Sequence, residues 1–501
     1  MTALWLCIIP ALFGVLALFM PTHRKSLAAM LFGVLADAGL GFVFIVRYFG
    51  GSLATGPAGW FFIDALSAFH LGLLFLVSAM SALFAWVYFV AEIRENQLTL
   101  RQARLFSCLF SEAVATMVLT LISNNLGIMW VGIEATTLVT AFLIYIHPSR
   151  KSLEAMWKYI LLCSVGVAFA FMGTLLTAAS AQGLPVPSHE AMLWTTLRDN
   201  ARLLNPALLK TAFIFILVGY GTKAGLAPLH NWLPDAHSQA PSPVSALFSG
   251  FMLNAALYCI MRFLPITAIA LGGPEWTSGL LKIFGLVSVC VAAAFIIFQH
   301  DLKRMLAFCS VEHMGIIALG LGLGGWGVFA ALFHALNHSV AKSLSFFSAG
   351  RLGQIYGTHD MRNIRSSLAI QPTWAMGLFV SLLSLIGIAP FALFMSEFLI
   401  VKTAVQKGAF YSLTIFLLGA GVIFIGMLGR AIPLFFGRPE AHQRPVTAGK
   451  LEFLLVSVPL VALLLLGITM PPFLKEALLQ ASNVLESVSG NIMMLSAGGK
   501  P

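Results

Sequence analysis

The sequence predicts an all-α polytopic membrane protein of about fourteen transmembrane helices, built as two inverted repeats with a broken helix in each. Three observations predict it. Charged residues make up 10% and hydrophobic residues 59% of the 501 residues, with a mean hydropathy of +0.92, whereas a soluble domain carries about 25% charged residues. Apolar runs of about 20 residues, long enough to cross a bilayer as helices, recur along the whole chain. Basic residues gather in alternate loops, as the positive-inside rule requires of a polytopic protein. No stretch between the runs is long enough to bury a soluble core.

The spans fall near residues 3–20, 27–48, 67–91, 106–123, 126–146, 156–180, 207–229, 241–264, 279–299, 303–324, 326–350, 372–405, 411–437 and 449–472. The start, Met1-Thr2-Ala3-Leu4-Trp5, has no basic n-region or cleavage site, so it reads as an uncleaved first span. Helices one to three occupy 1–105, a first repeat (four to eight) 106–264, a second (nine to thirteen) 279–437, and helix fourteen with a tail 449–501. The segment 188–204 is too polar to span and reads as an amphipathic surface helix. Loops after odd-numbered spans hold Arg24, Lys25, Arg94, Arg101, Arg104, Arg150, Lys151, Lys303, Arg304, Arg351, Arg362, Arg365, Arg438, Arg444 and Lys450; the others hold chiefly Arg198, Arg202, Lys210 and Lys407. This bias places the first set in the cytoplasm and both termini outside.

Spans seven and twelve are interrupted, at Gly225 and Pro228 and at Gly387 and Pro390. Glycine and proline end the helical ladder there and free backbone groups that need water or side chains. Each break sits beside one charge, Lys223 or Glu397. Paired broken helices in corresponding positions point to sites at the bilayer midplane.

The net charge of +10 lies mostly in short loops and does not indicate nucleic acid. Cys7, Cys108, Cys163, Cys259, Cys290 and Cys309 are scattered, without metal or redox spacing, which argues against an iron–sulfur cluster or haem on this chain. No phosphate loop, dinucleotide fingerprint or nucleophile with a plausible base is present, so the chain is not a stand-alone enzyme.

The candidate chemistry therefore lies in the intramembrane charges. An ammonium at the depth of Lys223 costs at least about 2.5–3.5 kcal/mol. Glu134 in span five and Lys223 in span seven form an acid and a base whose approach and separation would load and release a proton; the alternative is a static ion pair. Glu154 and Lys158 open span six one turn apart, as an interfacial ion pair or as part of proton uptake. His334, His338 and Lys342 recur every four residues and form one polar stripe, suited to a relay. The two histidines lack an evident third ligand for zinc. Lys303 and Arg304 read as cytoplasmic anchors, with Glu312 and His313 deeper. Glu397 is the best exit group. Glu112, His230, Asp235, His237, Lys303 and Glu312 are secondary candidates. Together these residues trace a polar line parallel to the membrane.

The run Gly221-Thr222-Lys223-Ala224-Gly225-Leu226-Ala227-Pro228-Leu229-His230-Asn231-Trp232-Leu233-Pro234-Asp235-Ala236-His237-Ser238-Gln239-Ala240-Pro241-Ser242-Pro243-Val244-Ser245 is highly specific. It resembles the signature of the antiporter-like proton-channel subunits shared by respiratory complex I, Mrp cation/proton antiporters and group 4 membrane-bound nickel–iron hydrogenases. Ser123–Leu126, Ile133–Leu138, Glu154–Tyr159, Ser310–Gly315 and His334–Lys342 agree with it in order. Within that family the chain looks most like the F-type membrane component of hydrogenase-4, of formate hydrogenlyase type. The resemblance implies fourteen core helices, inverted repeats, a Glu134–Lys223 pair and a terminal group at Glu397. It implies no cofactor on this chain: iron–sulfur clusters and a nickel–iron site belong to a peripheral redox arm, and other membrane subunits and lipids are the neighbours. Many relatives carry lysine or histidine in span eight, where this chain has Asn254, which cannot hold a proton. Little beyond Met470 remains for the long lateral helix of some relatives. The expected function is a proton-translocating subunit of a redox complex in a bacterial or archaeal cytoplasmic membrane. The alternatives are a non-pumping scaffold and a subunit of a Mrp-type sodium/proton antiporter.

Overall fold

A computed structural model describes residues 2–51, 59–184, 186–187, 190–436 and 446–486. Six helices come first: α1 (Trp5–Leu18), α2 (His23–Phe49), α3 (Ala65–Arg94), α4 (Leu100–Ile122), α5 (Leu126–Ile144) and α6 (Arg150–Ala179). Their starts carry side-chain caps at Thr22, Asp64, Thr99, Asn125 and Ser149, which satisfy backbone N–H groups that a helix start leaves free. The short α7 (Trp194–Asp199) precedes α8 (Pro206–Ala224), and α9 (Trp232–Gln239) follows the first break. Then α10 (Ser242–Leu247) runs through a π-turn, Phe248–Met252, into α11 (Leu253–Leu271) as one pass. The second half comprises α12 (Glu275–Ile296), α13 (Leu302–Leu323), α14 (Trp326–Tyr356), the short α15 (Ser367–Ile370), α16 (Pro372–Leu385), α17 (Ala392–Gln406) and α18 (Phe410–Phe435). The chain closes with α19 (Lys450–Ile468) and α20 (Pro472–Glu486).

Among the described residues, eleven helices are long and apolar enough to cross a membrane, so the chain is a multi-pass membrane protein. Adding the shorter α1, the polar-striped α14 and the interrupted pair α16–α17 makes fourteen passes, as the apolar runs predict. Span seven breaks between α8 and α9, and span twelve between α16 and α17. The breaks are built alike. Gly225 and Gly387 take φ of +75° and +68°, a region open mainly to glycine, and the Ala227–Pro228 and Ala389–Pro390 peptides are both cis.

The turns sort onto two faces. Arg104 Nε donates to Met20 O and Gln102 to Ile146 O, which ties three turns of the predicted basic set together, and Arg430 donates to Ile297 O beside a fourth. On the other face Asn124 donates to Gly59 O and Lys407 to Leu323 O. Arg438 and Arg444 lie outside the described residues.

Lipid provides no hydrophobic drive between helices, so close packing must hold them. The α6–α8 seam shows how: a Cβ on Gly219 would stand 2.3 Å from Ala170 N. At the centre, the spanning windows of α10–α11 and α13 are 100% buried, against 28% for α18 and α19. The first two therefore form the middle of the bundle, and the last two its rim.

One sequence expectation needs correction. The described part of 188–204 is not an amphipathic surface helix; Ser188 and His189 lie outside the described residues. α7 is a single short helix folded into the protein, with Trp194 buried and its Nε1 donating to Arg262 O at 2.6 Å. Beyond Met470, α20 forms and folds back so that Ala477, Leu478 and Ala481 are buried.

Candidate functional site

The first cluster gathers at the end of α8. Lys223 is fully buried two residues before the break, and its ammonium donates to Thr137 Oγ1 on α5 at 2.9 Å and to the Tyr159 hydroxyl on α6. It also lies 4.6 Å from the centre of the Tyr159 ring, a cation–π position. Tyr159 in turn bonds Thr140 at 2.6 Å. Trp232 Nε1 donates to Thr222 O at 2.8 Å, which ties the start of α9 back to the end of α8.

Glu134, one turn before Thr137 on α5, accepts from Ser164 Oγ at 2.9 Å, and its other oxygen has no partner among the described residues. It is half-buried between Val131 and Leu138, both of which face outward. In this state Glu134 and Lys223 stand apart, each held by hydroxyls rather than by the other.

A cavity of about 420 Å³ opens beside this cluster, lined by Lys158, His230, Asp235, Gln299, Arg304 and Phe308 among others. Asp235 on α9 is gripped from both sides, by Lys158 Nζ at 3.0 Å and by Arg304. Lys158 also pairs with Glu154 at 2.6 Å. The i, i+4 pair read from the sequence is thus one arm of a four-membered charge network at the cavity mouth. His230 is buried behind it, with Nδ1 unpartnered. Lys303 corrects an expectation: it is no surface anchor but is buried, with Nζ donating to Ala240 O at the end of α9. Its neighbour Arg304 takes the outward position, because successive helix residues point about 100° apart.

The middle of the line is sparser. Asn254 on α11 donates to Gly250 O at 3.2 Å and to Ser339 Oγ on α14 at 3.1 Å. His237 on α9 is fully buried.

The distal cluster lies on α13, α14 and α17. His313 Nδ1 meets His334 Nε2 at 2.9 Å, and His334 Nδ1 meets Ser396 Oγ at 2.9 Å. The His338 ring lies 5.1 Å from that of His313, with both nitrogens unpartnered. Lys342 donates to Leu306 O at 2.7 Å, and Glu312 is buried with one free oxygen. Glu397 is half-buried against the second break, where a Cβ on Gly387 would stand 2.3 Å from its Oε2. His313, His334 and Glu397 bring donor atoms within 4.8 Å of one another, a grouping that leaves out His338 and so is not the i, i+4 histidine pair of the sequence. The His313–His334 contact is a hydrogen bond in which one imidazole lone pair is already engaged by the N–H of the other ring. Glu112 is not brought into the line: it packs on α1 beside Gly14.

The sequence family described as NADH:quinone oxidoreductase/Mrp antiporter, transmembrane, matches residues 123–426, a stretch holding both helix breaks and every group on the polar line. The chain belongs to that family. Among its relatives is the hydrogenase-4 component F homolog of Methylacidiphilum infernorum, 37% identical over 78% of this chain and 82% of the relative. NADH-quinone oxidoreductase subunit N of Desulforudis audaxviator is 30% identical over 74% of each chain. Hydrogenase-4 component B of Escherichia coli is 29% identical, with this chain spanning 49% of its length. Two solved structures share the fold: the archaeal membrane-bound sulfane sulfur reductase (TM-score 0.82, 21% identity, 97% of this chain and 100% of that one) and the Mrp complex from Dietzia sp. DQ12-45-1b (0.82, 20%, 97% and 99%). This is an antiporter-like membrane subunit of the complex I, Mrp and hydrogenase-4 group, whose members work within multisubunit membrane complexes.

Some buried groups of this family member escape a reading of its sequence. Arg262 and Asp64 form an ion pair between α11 and the start of α3, and Asp37 on α2 is fully buried with both oxygens unpartnered. The rule that singles out Lys223 would find Asp37 and Arg262 too, since each interrupts an apolar run. Thr137, Tyr159 and Ser164 carry no such signal, because neutral hydroxyls are common in membrane helices.

Proposed function

We propose that this chain translocates protons as the antiporter-like subunit of a multisubunit redox complex of the hydrogenase-4 kind. The observation that carries the reading is Lys223, an ammonium fully buried beside a broken helix and held by two hydroxyls instead of a carboxylate. Such a group is positioned without being neutralised, so a change of charge at Glu134 alters how firmly it keeps its proton. In this reading redox work in partner subunits moves Glu134 and Lys223 between joined and separated states. The Lys158–Asp235–Arg304 cavity supplies protons from the basic-loop face through His230. Protons leaving Lys223 travel past the middle of the bundle to His338, His313, His334 and Glu397, and Lys342 and Glu312 set the field around the distal histidines.

The proposal puts the basic-loop face in the cytoplasm and both termini outside, and treats 106–264 and 279–437 as the two repeats. Iron–sulfur clusters and the nickel–iron site are assigned to a peripheral redox arm, with none on this chain. Glu134 and Glu397 end the line half-buried, so neighbouring membrane subunits would cover them. A second reading, a sodium/proton antiporter subunit without a redox arm, draws support from a Na(+)/H(+) antiporter subunit of Alkalihalophilus pseudofirmus, 28% identical over 81% of this chain and 52% of the relative. Co-purification with a nickel–iron protein favours the first; co-purification with small cation-antiporter subunits favours the second.

The experiment is Glu134→Gln in the intact complex reconstituted into vesicles. Proton uptake per electron should fall while the complex stays assembled. Unchanged turnover and unchanged proton uptake would leave the chain a scaffold.

A further inference from the structure

Between Lys223 and the distal histidines the eighth pass presents Asn254, which cannot hold a proton and whose amide is committed to Gly250 O and Ser339 Oγ. An imidazole stands nearby. His237 is sealed within the protein: its relative exposure is 0%, and among the described residues neither Nδ1 nor Nε2 has a hydrogen-bond partner. Its ring stacks on Phe346, centre to centre 5.1 Å and 19° from parallel, and the Phe248 ring centre lies 6.1 Å off with the planes at 71°. If packing were all that mattered, a phenylalanine would fill this aromatic slot without stranding two polar nitrogens. Buried polar atoms left unpaired in a native fold call for an explanation, and chemistry is one.

The surroundings say which chemistry. Phe248 also stacks on Tyr159, 6.2 Å away at 20°, and Tyr159 holds the Lys223 ammonium. One benzene ring therefore separates the Lys223–Tyr159 pair from His237. That ring opens the π-turn Phe248–Met252, a local unwinding of the kind found often at functional sites. On the far side, Phe346 is one turn beyond Lys342 on α14, and Lys342 is one turn beyond His338. The charged and titratable groups acting on His237 are Lys303 from α13 and Lys342 and His338 from α14; Tyr159 from α6 lies behind Phe248. The peptide is pinned as well: Ser245 Oγ donates to His237 O at 2.9 Å, and Lys303 holds Ala240 O three residues on.

We propose that His237 is the central proton carrier of this subunit, and that the Phe248 ring is the plug that separates it from Lys223. The inference rests on the proposed proton-translocating function. Rotation of the ring opens a path for water. The Lys223 ammonium then gives up one proton, one imidazole nitrogen of His237 takes it, and the other nitrogen releases one toward His338. Lysine returns to the neutral amine, histidine to the neutral ring, and no other reactant is needed. Asn254 acts on the side, orienting Ser339.

The test uses the complex purified through a tag on this chain and reconstituted into vesicles, with turnover and proton uptake followed together. His237→Phe keeps the aromatic stack and removes the nitrogens; His237→Gln keeps a polar group that cannot hold a proton. Both should lower proton uptake about 10-fold or more with the complex assembled. Phe248→Ala should do the opposite to the barrier. Vesicles that are not turning over should lose an imposed pH gradient several-fold faster, and adding His237→Phe should abolish the leak. A His237→Phe complex that pumps like the parent overturns the proposal, and so does a Phe248→Ala complex that is no leakier than the parent. The leak of the Phe248→Ala variant is read whether or not the His237 variants assemble. Lys223→Ala separates the layers: if it stops pumping while His237→Phe does not, the carrier is wrong and the function stands. If neither matters, the function itself is wrong.

Discussion

Replacing Arg262 by methionine should be among the most damaging single changes in this chain, although Arg262 lies off the polar line. Its guanidinium donates to Asp64 Oδ2 at 2.5 Å and Oδ1 at 2.7 Å, to Tyr258 at 2.9 Å and to Ser67, and it packs 4.6 Å from the Trp194 ring. The side chains of Arg262 and Asp64 are only 4% and 11% exposed. Two effects compete for the magnitude. Polar side-chain bonds between membrane helices average about 0.6 kcal/mol each, because the unfolded chain in lipid also finds partners. Stranding the Asp64 carboxylate costs about 3–5 kcal/mol, so the charge decides the outcome. Removing both charges with Asp64→Asn/Arg262→Met should then recover much of the loss, since asparagine still caps α3 and no buried charge remains. The assay is apparent melting temperature in detergent, with monodispersity followed on heating, for both single variants and the double. The account expects Arg262→Met to be the least stable and the double variant to lie clearly above it. A double variant no more stable than Arg262→Met would refute the reasoning.

Three further outcomes are expected. Tyr159→Phe keeps the ring but removes the hydroxyl between Lys223 and Thr140; a hydrogen bond to a charge is worth about 1.5–3 kcal/mol, so proton uptake in reconstituted complex should fall about 10- to 100-fold. Gly219→Leu should block assembly, because its Cβ would meet Ala170 N at 2.3 Å in the α6–α8 seam, whereas Gly39→Ala, with nothing within 4 Å of its Cβ, should be silent on a native gel. Outside the membrane, Arg362 beside Asp360 holds that carboxyl down to about 2 from an ordinary 3.8. A depressed acid stabilises the fold above its ordinary value and loses that contribution as pH falls through its lowered one. Hydrogen exchange at Met361, whose N–H donates to His300 O at 2.8 Å, should therefore stay protected at pH 5 and rise toward pH 2. Asp360→Asn should flatten that dependence.

The passes and both broken helices were legible because apolar length and the Gly–Pro pairs are strong local signals, and a helix in lipid must satisfy its own backbone. Even α14, whose polar stripe of His334, His338 and Lys342 lowers its hydropathy, shows as an apolar run at 326–350. What sequence spacing does not carry is direction. Lys303 and Arg304 are adjacent at a helix start and both suit an anchor, yet tertiary packing turns one inward to Ala240 and leaves the other at the cavity. α7 is too short to show a periodicity, so the burial of Trp194 depends on Arg262, 68 residues away. The partners of Lys223 were hidden for the same reason: Thr137 and Tyr159 are hydroxyls on two other helices, and only the fold brings them to one point.

The most direct measurement of the central claim is the number of protons moved per electron by the reconstituted complex with Lys223→Ala. The account predicts an assembled complex whose redox turnover, if it continues, moves few or no protons. An assembled Lys223→Ala complex that moves as many protons per electron as the parent would contradict it.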